Sequence, residues 1–195
     1  MSLCLSCKAC KSECPSNVDM AKLKAEFLQH YYDANGVPFR SKLIANFSAT
    51  AKLGSLFPGL YNWAMDNKLI GGMIKKVSGF AVQRSMPHMS PQTLRSWYRK
   101  HQSIQALQSF EKRVYLFCDE FTNYNDPHIG AAAVTLLEKL GYTVLIPEHT
   151  ESGRAWLSKG LVRKAREIVH KNLEFLSPVI SADRPLIGIE PSAIL

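Results

Sequence analysis

Four of the five cysteines fall within the first fifteen residues, as Cys4, Cys7, Cys10 and Cys14, with Pro15 directly behind them. The spacing is C-x2-C-x2-C-x3-C-P, that of a segment wrapping a four-iron cluster. Three thiolates at steps of three residues can reach one face of a cubane, and the proline turns the chain away after the fourth. Where two such clusters occur, the last cysteine ligates the other one, so one copy of the run is half of an interlocked pair. The chain carries a single copy. The run therefore reads as a ferredoxin-type 4Fe-4S half-motif, with all four cysteines as metal ligands.

Two other chemistries use clustered cysteines. Structural zinc favours two separated C-x2-C knuckles, and neither a second knuckle nor an H-x3-H pair follows here. A disulfide framework suits small secreted chains, but there is no apolar secretory stretch at the N-terminus. A zinc-structured domain stays open as the alternative in which the run is purely structural.

At 195 residues, 46% hydrophobic and 21% charged, the chain has core enough for one medium domain with an appendage. No apolar run reaches the eighteen or so residues of a membrane span, and reduced thiols point to the cytoplasm. The formal charge is +8, but Lys and Arg are scattered without a basic arm or an interleaved aromatic platform, which argues against nucleic acid. The basic face fits an acidic partner or a peripheral contact with anionic lipid.

After Pro15, Ser16 or Asn17 is expected to cap a helix carrying Met20, Leu23, Phe27 and Tyr31 and closed by Asn35-Gly36. Residues 40 to 110 read as short helices punctuated by Gly54, Pro58-Gly59, Gly71-Gly72, Gly79, Pro87 and Pro91. An apolar side runs from Leu43, Ile44 and Phe47 through Leu53, Phe57, Leu60, Trp63 and Met65 to Leu69, Met73, Ile74 and Val77. Such a side packs internally or on a partner; with Lys68, Lys75, Lys76 and Arg84 it could also lie on a membrane. From Arg113 strands and helices alternate. Val114 to Cys118, Thr143 to Ile146 and Leu186 to Ile189 are the strands. Asp126-Pro127 opens a helix with Ile129, Ala133, Leu136, Leu137 and Leu140 inward, and a second helix spans Ser158 to Leu176. The fold class is α/β: a helical N-terminal half and connector, then a parallel-sheet βαβαβ domain.

Ligands of open parallel sheets sit beyond the carboxyl ends of the strands. That rule selects a crevice from three loops, containing Cys118, Asn123 and Tyr124, then Glu151, Ser152, Gly153 and Arg154, then Glu190 and Ser192. Gly153 would let backbone approach a ligand. A lone cysteine such as Cys118 is more often a small buried hydrophobe than a nucleophile, and His149 more often a capping histidine than a ligand.

The cysteine run, the helical connector and the stretches VYLFCDEFTNYNDPHIGAAAVTLLEKLGYTV, ESGRAWLSKGLVRKARE and LIGIEPSAIL together resemble the C-terminal half of FAD-linked iron–sulfur oxidoreductases. These are the D-lactate and D-2-hydroxyglutarate dehydrogenase-like proteins, with relatives in anaerobic glycerol-3-phosphate dehydrogenase and heterodisulfide reductase. The resemblance implies that the sheet domain is of the cysteine-rich (CCG) type, with one cysteine after the first strand, a Cys-Cys-Gly in the second loop and another cysteine after a Pro-Ser. Cys118 matches the first position. Glu151-Ser152-Gly153 departs from the second and Ala193 from the third, which implies a degenerate module without a cluster of its own.

The expected divisions are 1–36, the 4Fe-4S half-motif; 37–110, the connector; and 111–195, a truncated cysteine-rich-type domain. Met1-Ser2-Leu3 is read as a leader. No G-x-G-x-x-G fingerprint is present, so FAD is expected in the parent protein and not on this segment. The expected function is electron relay in an FAD-linked dehydrogenase oxidising a 2-hydroxy acid such as D-lactate, with this segment alone inactive. Its partners would be upstream FAD and first ferredoxin-motif modules and a downstream electron acceptor. The alternatives are a partner- or membrane-docking module without catalysis, and the zinc-structured domain.

Overall fold

Three apolar runs form one parallel sheet: β1 (Lys112–Phe117), β2 (Tyr142–Leu145) and β3 (Leu186–Gly188), in the order β2-β1-β3. Val114 stands opposite Val144, and Leu116 opposite Ile187. The computed structural model describes Cys4, residues 9–105 and residues 112–194. Cys7, the expected leader and the expected division at 110 lie outside the described residues. β1 is central and its Val114 to Phe117 are buried, as befits a strand paired on both edges and covered on both faces.

The helices are α1 (Ala9–Glu13), α2 (Met20–Asn35), α3 (Phe39–Ala45), α4 (Phe47–Gly54), α5 (Pro58–Asp66), α6 (Lys68–Val77) and α7 (Leu94–Gln105) before the sheet. Within it come α8 (Glu120–Tyr124), α9 (Pro127–Lys139), α10 (Arg154–Ser158), α11 (Val162–Leu176) and α12 (Pro191–Ile194). The class is α/β, as expected. Its core joins Val114, Leu116, Val134 and Val144 to Tyr98 of α7. The Tyr98 hydroxyl donates to the Val144 carbonyl at 2.7 Å, and burial pushes its pKa up to about 12.

Four local expectations are corrected. The α2 cap is Asp19, whose Oδ1 accepts from the Lys22 amide at 3.0 Å, and not Ser16 or Asn17. Gly71 and Gly72 do not interrupt a helix but lie inside α6, where a Cβ on Gly71 would collide with the Met65 carbonyl oxygen. The buried face of α9 is Gly130 and Val134 with Leu137 packed beside them, while Ile129, Leu136 and Leu140 are exposed. Leu94 sets that rotation, because it presses where a Gly130 Cβ would be. The expected helix from Ser158 breaks at Gly160, with φ +74°, into α10 and α11. A Cβ there would collide with the Leu28 side chain, so the break lets α2 approach. Arg163 completes that junction through a two-pronged contact with Asp33 at 2.8 and 2.5 Å.

The apolar side of the connector divides in two. Leu43, Ile44, Phe47, Met65 and Ile74 turn inward around a cavity. Leu53, Leu56, Phe57, Leu60, Trp63, Leu69, Met73 and Val77 remain exposed, Leu69 at 85%. Internal packing therefore accounts for only part of this periodicity.

Candidate functional site

The loops beyond β1, β2 and β3 come together as the strand-end rule requires, and their polar groups are occupied with one another. Asp119 caps α8, its Oδ1 accepting from the Phe121 and Thr122 amides at 3.0 Å and its Oδ2 from the Thr122 hydroxyl at 2.5 Å. Glu120 is buried and reaches the second loop, accepting from the Ser152 amide at 3.1 Å and the Ser152 hydroxyl at 2.8 Å. Arg154 reaches the third loop, 3.2 Å from Glu190, with its guanidinium over the Phe121 ring. Glu190 also accepts from the Ser192 hydroxyl, and this bond, helped by Arg154 and opposed by burial, holds its carboxyl below the usual range.

Of the remaining candidates, Asn123, Tyr124 and Gly153 have internal tasks, while Cys118 and the Oε2 of Glu151 are simply buried. Cys118 is 5% exposed, and burial pushes its thiol up to about 12, which disfavours a thiolate. Asn123 accepts from the Arg95 amide at 3.1 Å at the start of α7. Tyr124 is half-buried, which raises its hydroxyl, while its carbonyl accepts from the Ser90 amide at 2.8 Å. Gly153 has φ +78° and faces Ile168 and Ala165 of α11, so its freedom serves a turn and helix packing. Among the described residues Glu151 Oε2 is buried without a well-formed hydrogen bond, and burial raises this carboxyl against the neighbouring Trp156 indole. Among the described residues the crevice offers neither the soft thiolate set of a cluster nor an ordered nucleophile and base.

Sequence reasoning missed two residues. Asn172 of α11 is buried and holds the second loop from beneath: its Oδ1 accepts from the Thr150 amide at 2.8 Å and hydroxyl at 2.7 Å, and its Nδ2 donates to the Glu151 carbonyl at 2.8 Å. It falls on the buried stripe with Ala165, Ile168 and Leu176, and a polar residue on an otherwise apolar helix face is a readable signal. Arg95 supplies positive charge toward Cys118, Tyr124 and His149, and donates weakly to the Pro147 carbonyl. Nothing in its sequence surroundings marks it.

The cysteine segment is built differently. Cys10 is exposed on α1, whose end places the Cys14 amide 3.0 Å from the Cys10 carbonyl. Asn17 then adopts φ +53°, a left-handed turn residue. Backbone hydrogen bonding from Val18, then Ser16, lowers the Cys14 thiol pKa against the opposing effect of burial, while the Asn17 amide donates to the Cys14 carbonyl at 2.9 Å. Lys24 of α2 donates to the Cys4 carbonyl at 2.5 Å, tying the start of the run to the helix behind it. Among the described residues no three His, Cys, Asp or Glu side chains stand close enough together to hold a metal ion.

The chain is similar to D-2-hydroxyglutarate dehydrogenases. It is 28% identical over 204 residues to the Escherichia coli protein of that name, covering 100% of this chain and 20% of that protein. Identity to the Haemophilus influenzae protein is 26% over 201 residues, with the same coverage. A 24% identity over 150 residues relates 76% of the chain to 37% of one of the subunits of the anaerobic glycerol-3-phosphate dehydrogenase of Escherichia coli. The chain thus spans about a fifth of the length of the D-2-hydroxyglutarate dehydrogenases it matches, in their C-terminal part. No protein-family model and no solved structure matches it.

Proposed function

We propose that this chain is the electron-relay part of a larger dehydrogenase oxidising a 2-hydroxy acid. The observation that carries the reading is the setting of Cys14, where the chain turns directly after the sulfur and backbone hydrogen bonding, from Val18 first, lowers the thiol pKa. Amides directed at sulfur favour the thiolate, the form that ligates, and are among the contacts that tune a cluster's potential. Similarity to D-2-hydroxyglutarate dehydrogenases supports the substrate class. Cys4, Cys7 and Cys10 would hold one cluster, and Cys14 would serve a second whose other ligands lie in upstream modules of the parent protein, where FAD also binds. A bound four-iron cluster takes up and releases single electrons. The protein's part is to fix the thiolates: α1 presents Cys10, the Asn17 turn closes on the Cys14 carbonyl, and Lys24 anchors Cys4. The divisions near residues 36 and 110 would then separate ligand-bearing segment, helical connector and scaffold.

The test is Cys10→Ser in a protein that also carries the flavin module. Substrate should still bleach the flavin, while reduction of a downstream acceptor should stop. Acceptor reduction at the unaltered rate would remove the relay role.

A docking role draws support from the exposed apolar face of α4 to α6, where Leu53, Phe57, Trp63 and Leu69 alternate with Lys52, Lys68 and Lys76. Scattered exposed apolar residues are ordinary, but a contiguous set rimmed by charge marks an interaction surface. No described helix is long and apolar enough to cross a membrane, so contact with lipid would be peripheral. Iron-independent association with the upstream modules, measured by size-exclusion chromatography, tests docking on protein. Sedimentation with anionic vesicles tests the membrane version.

A further inference from the structure

The inward half of the connector lines an open-sided cavity of about 460 Å³ between α3, α4, α5 and α6 on one side and α8 and α10 on the other. Its walls include Leu43, Phe47, Met65, Ile74 and Phe121. That volume lies within the roughly 300–1,000 Å³ of small-molecule sites, which combine apolar walls with a few placed polar groups. Here the placed group is Lys75. It is 9% exposed and sits on the inward face of α6 with Gly71 and Ser78, whereas Lys68 and Lys76 point outward. Among the described residues its ammonium has neither a carboxylate nor a hydrogen-bond acceptor. The other cation on the wall, Arg154, is already matched by Glu190. The cavity is therefore apolar, with one lysine on its wall that no carboxylate matches among the described residues.

We propose that it binds an apolar-tailed monoanion, a fatty carboxylate, whose head pairs with Lys75 and whose chain lies among Leu43, Phe47, Met65, Ile74 and Phe121. A single unmatched lysine suits a head of one negative charge better than a phosphomonoester, which would call for a second cation. This site is separate from the cysteine run and stands whether or not the chain relays electrons.

Calorimetric titration of the full chain with dodecanoate, below its micelle concentration, and with dodecanol as the neutral counterpart, tests the assignment. Dodecanoate should bind with one site per chain and more tightly than dodecanol. Lys75→Met, which keeps the apolar bulk, should weaken dodecanoate by about tenfold or more and leave dodecanol within about twofold. Lys75→Arg should restore the dodecanoate preference. Ile44→Trp, directed into the cavity, should abolish binding of both. Circular dichroism on each variant confirms that it is folded. No dodecanoate binding to the folded unaltered chain, equal binding by the Met variant, or unchanged binding after Ile44→Trp would each overturn the proposal.

Discussion

The backbone N–H of Cys118 donates to Nε2 of His149 at 3.1 Å, while the two rings of Phe117 and His149 stack with centroids 4.1 Å apart. An amide donor at Nε2 requires a lone pair there, so the proton resides on Nδ1, which donates to the Thr150 carbonyl at 2.6 Å. His149 is thus a neutral bridge between the ends of β1 and β2, with neither nitrogen left for a metal.

Burial lowers the His149 pKa from 6.5 to about 4, with Arg95 acting in the same direction and the Thr150 hydrogen bond against it. A histidine with a depressed folded pKa binds fewer protons folded than unfolded, so its contribution to stability is full above pH 6.5 and is lost as pH falls toward 4. The loss should be on the order of 2–3 kcal/mol across that window. Urea denaturation between pH 7 and pH 4 measures it, and His149→Gln, which keeps an acceptor but does not titrate, should flatten the profile. An unchanged slope in that variant would show that other groups govern the window.

Cys118 should behave as an inert thiol. It is buried with its pKa pushed to about 12, whereas Cys10 is exposed. Alkylation at pH 8 followed by mass spectrometry should modify Cys10 promptly and Cys118 only after denaturant is added. Cys118→Ser in the longer protein should leave turnover close to unaltered; a large loss with folding intact would mean that the sheet domain retains redox chemistry.

Glu120 and Ser152 should be energetically coupled. Removing the Ser152 hydroxyl withdraws one donor from a buried carboxylate, a change expected to cost about 1–3 kcal/mol. The backbone amide of Ser152 remains on Oε2, so part of the bridge persists. A double-mutant cycle with Ser152→Ala and Glu120→Gln, followed by chemical denaturation, should return a coupling of about 0.5–3 kcal/mol. Additive single effects would show that the loops are held together by other contacts.

What the sequence revealed and what it concealed divides along local and tertiary lines. The strands were legible because Val114 to Phe117 and Thr143 to Leu145 are short, β-rich runs, and each came within about two residues of its observed limits. The rotation of α9 was not, since Leu136 and Leu140 satisfy a helical period as well as Val134 and Leu137 do; Leu94 pressing on Gly130 decides between them. The break at Gly160 depends on Leu28, more than a hundred residues away in the chain. The crevice loops were found by topology alone, but their mutual pairing was not, because Glu120–Ser152 and Arg154–Glu190 have no spacing signature. Whether Lys75 faces in or out of α6 is likewise invisible beside Lys76.

Ligand counting gives the sharpest prediction for the cysteine run. A cubane held by protein thiolates takes four, and in the interlocked arrangement Cys4, Cys7 and Cys10 share one cluster while Cys14 serves another. On that count the 195-residue chain alone completes neither. Anaerobic reconstitution with iron and sulfide, followed by analysis of both elements, should give well under one four-iron cluster per chain, while the sheet region folds normally because its Val114, Leu116, Val134 and Val144 core contains no metal ligand. Adding the upstream part of the parent protein should restore full loading of two clusters, and Cys14→Ser in that longer protein should remove one and spare the other. A stable four-iron cluster on the isolated chain, abolished by Cys14→Ser, would instead mean that all four cysteines serve a single centre. One tightly held zinc per chain, with loss of helix around Ala9–Glu13 on chelation, would identify the run as a structural zinc site.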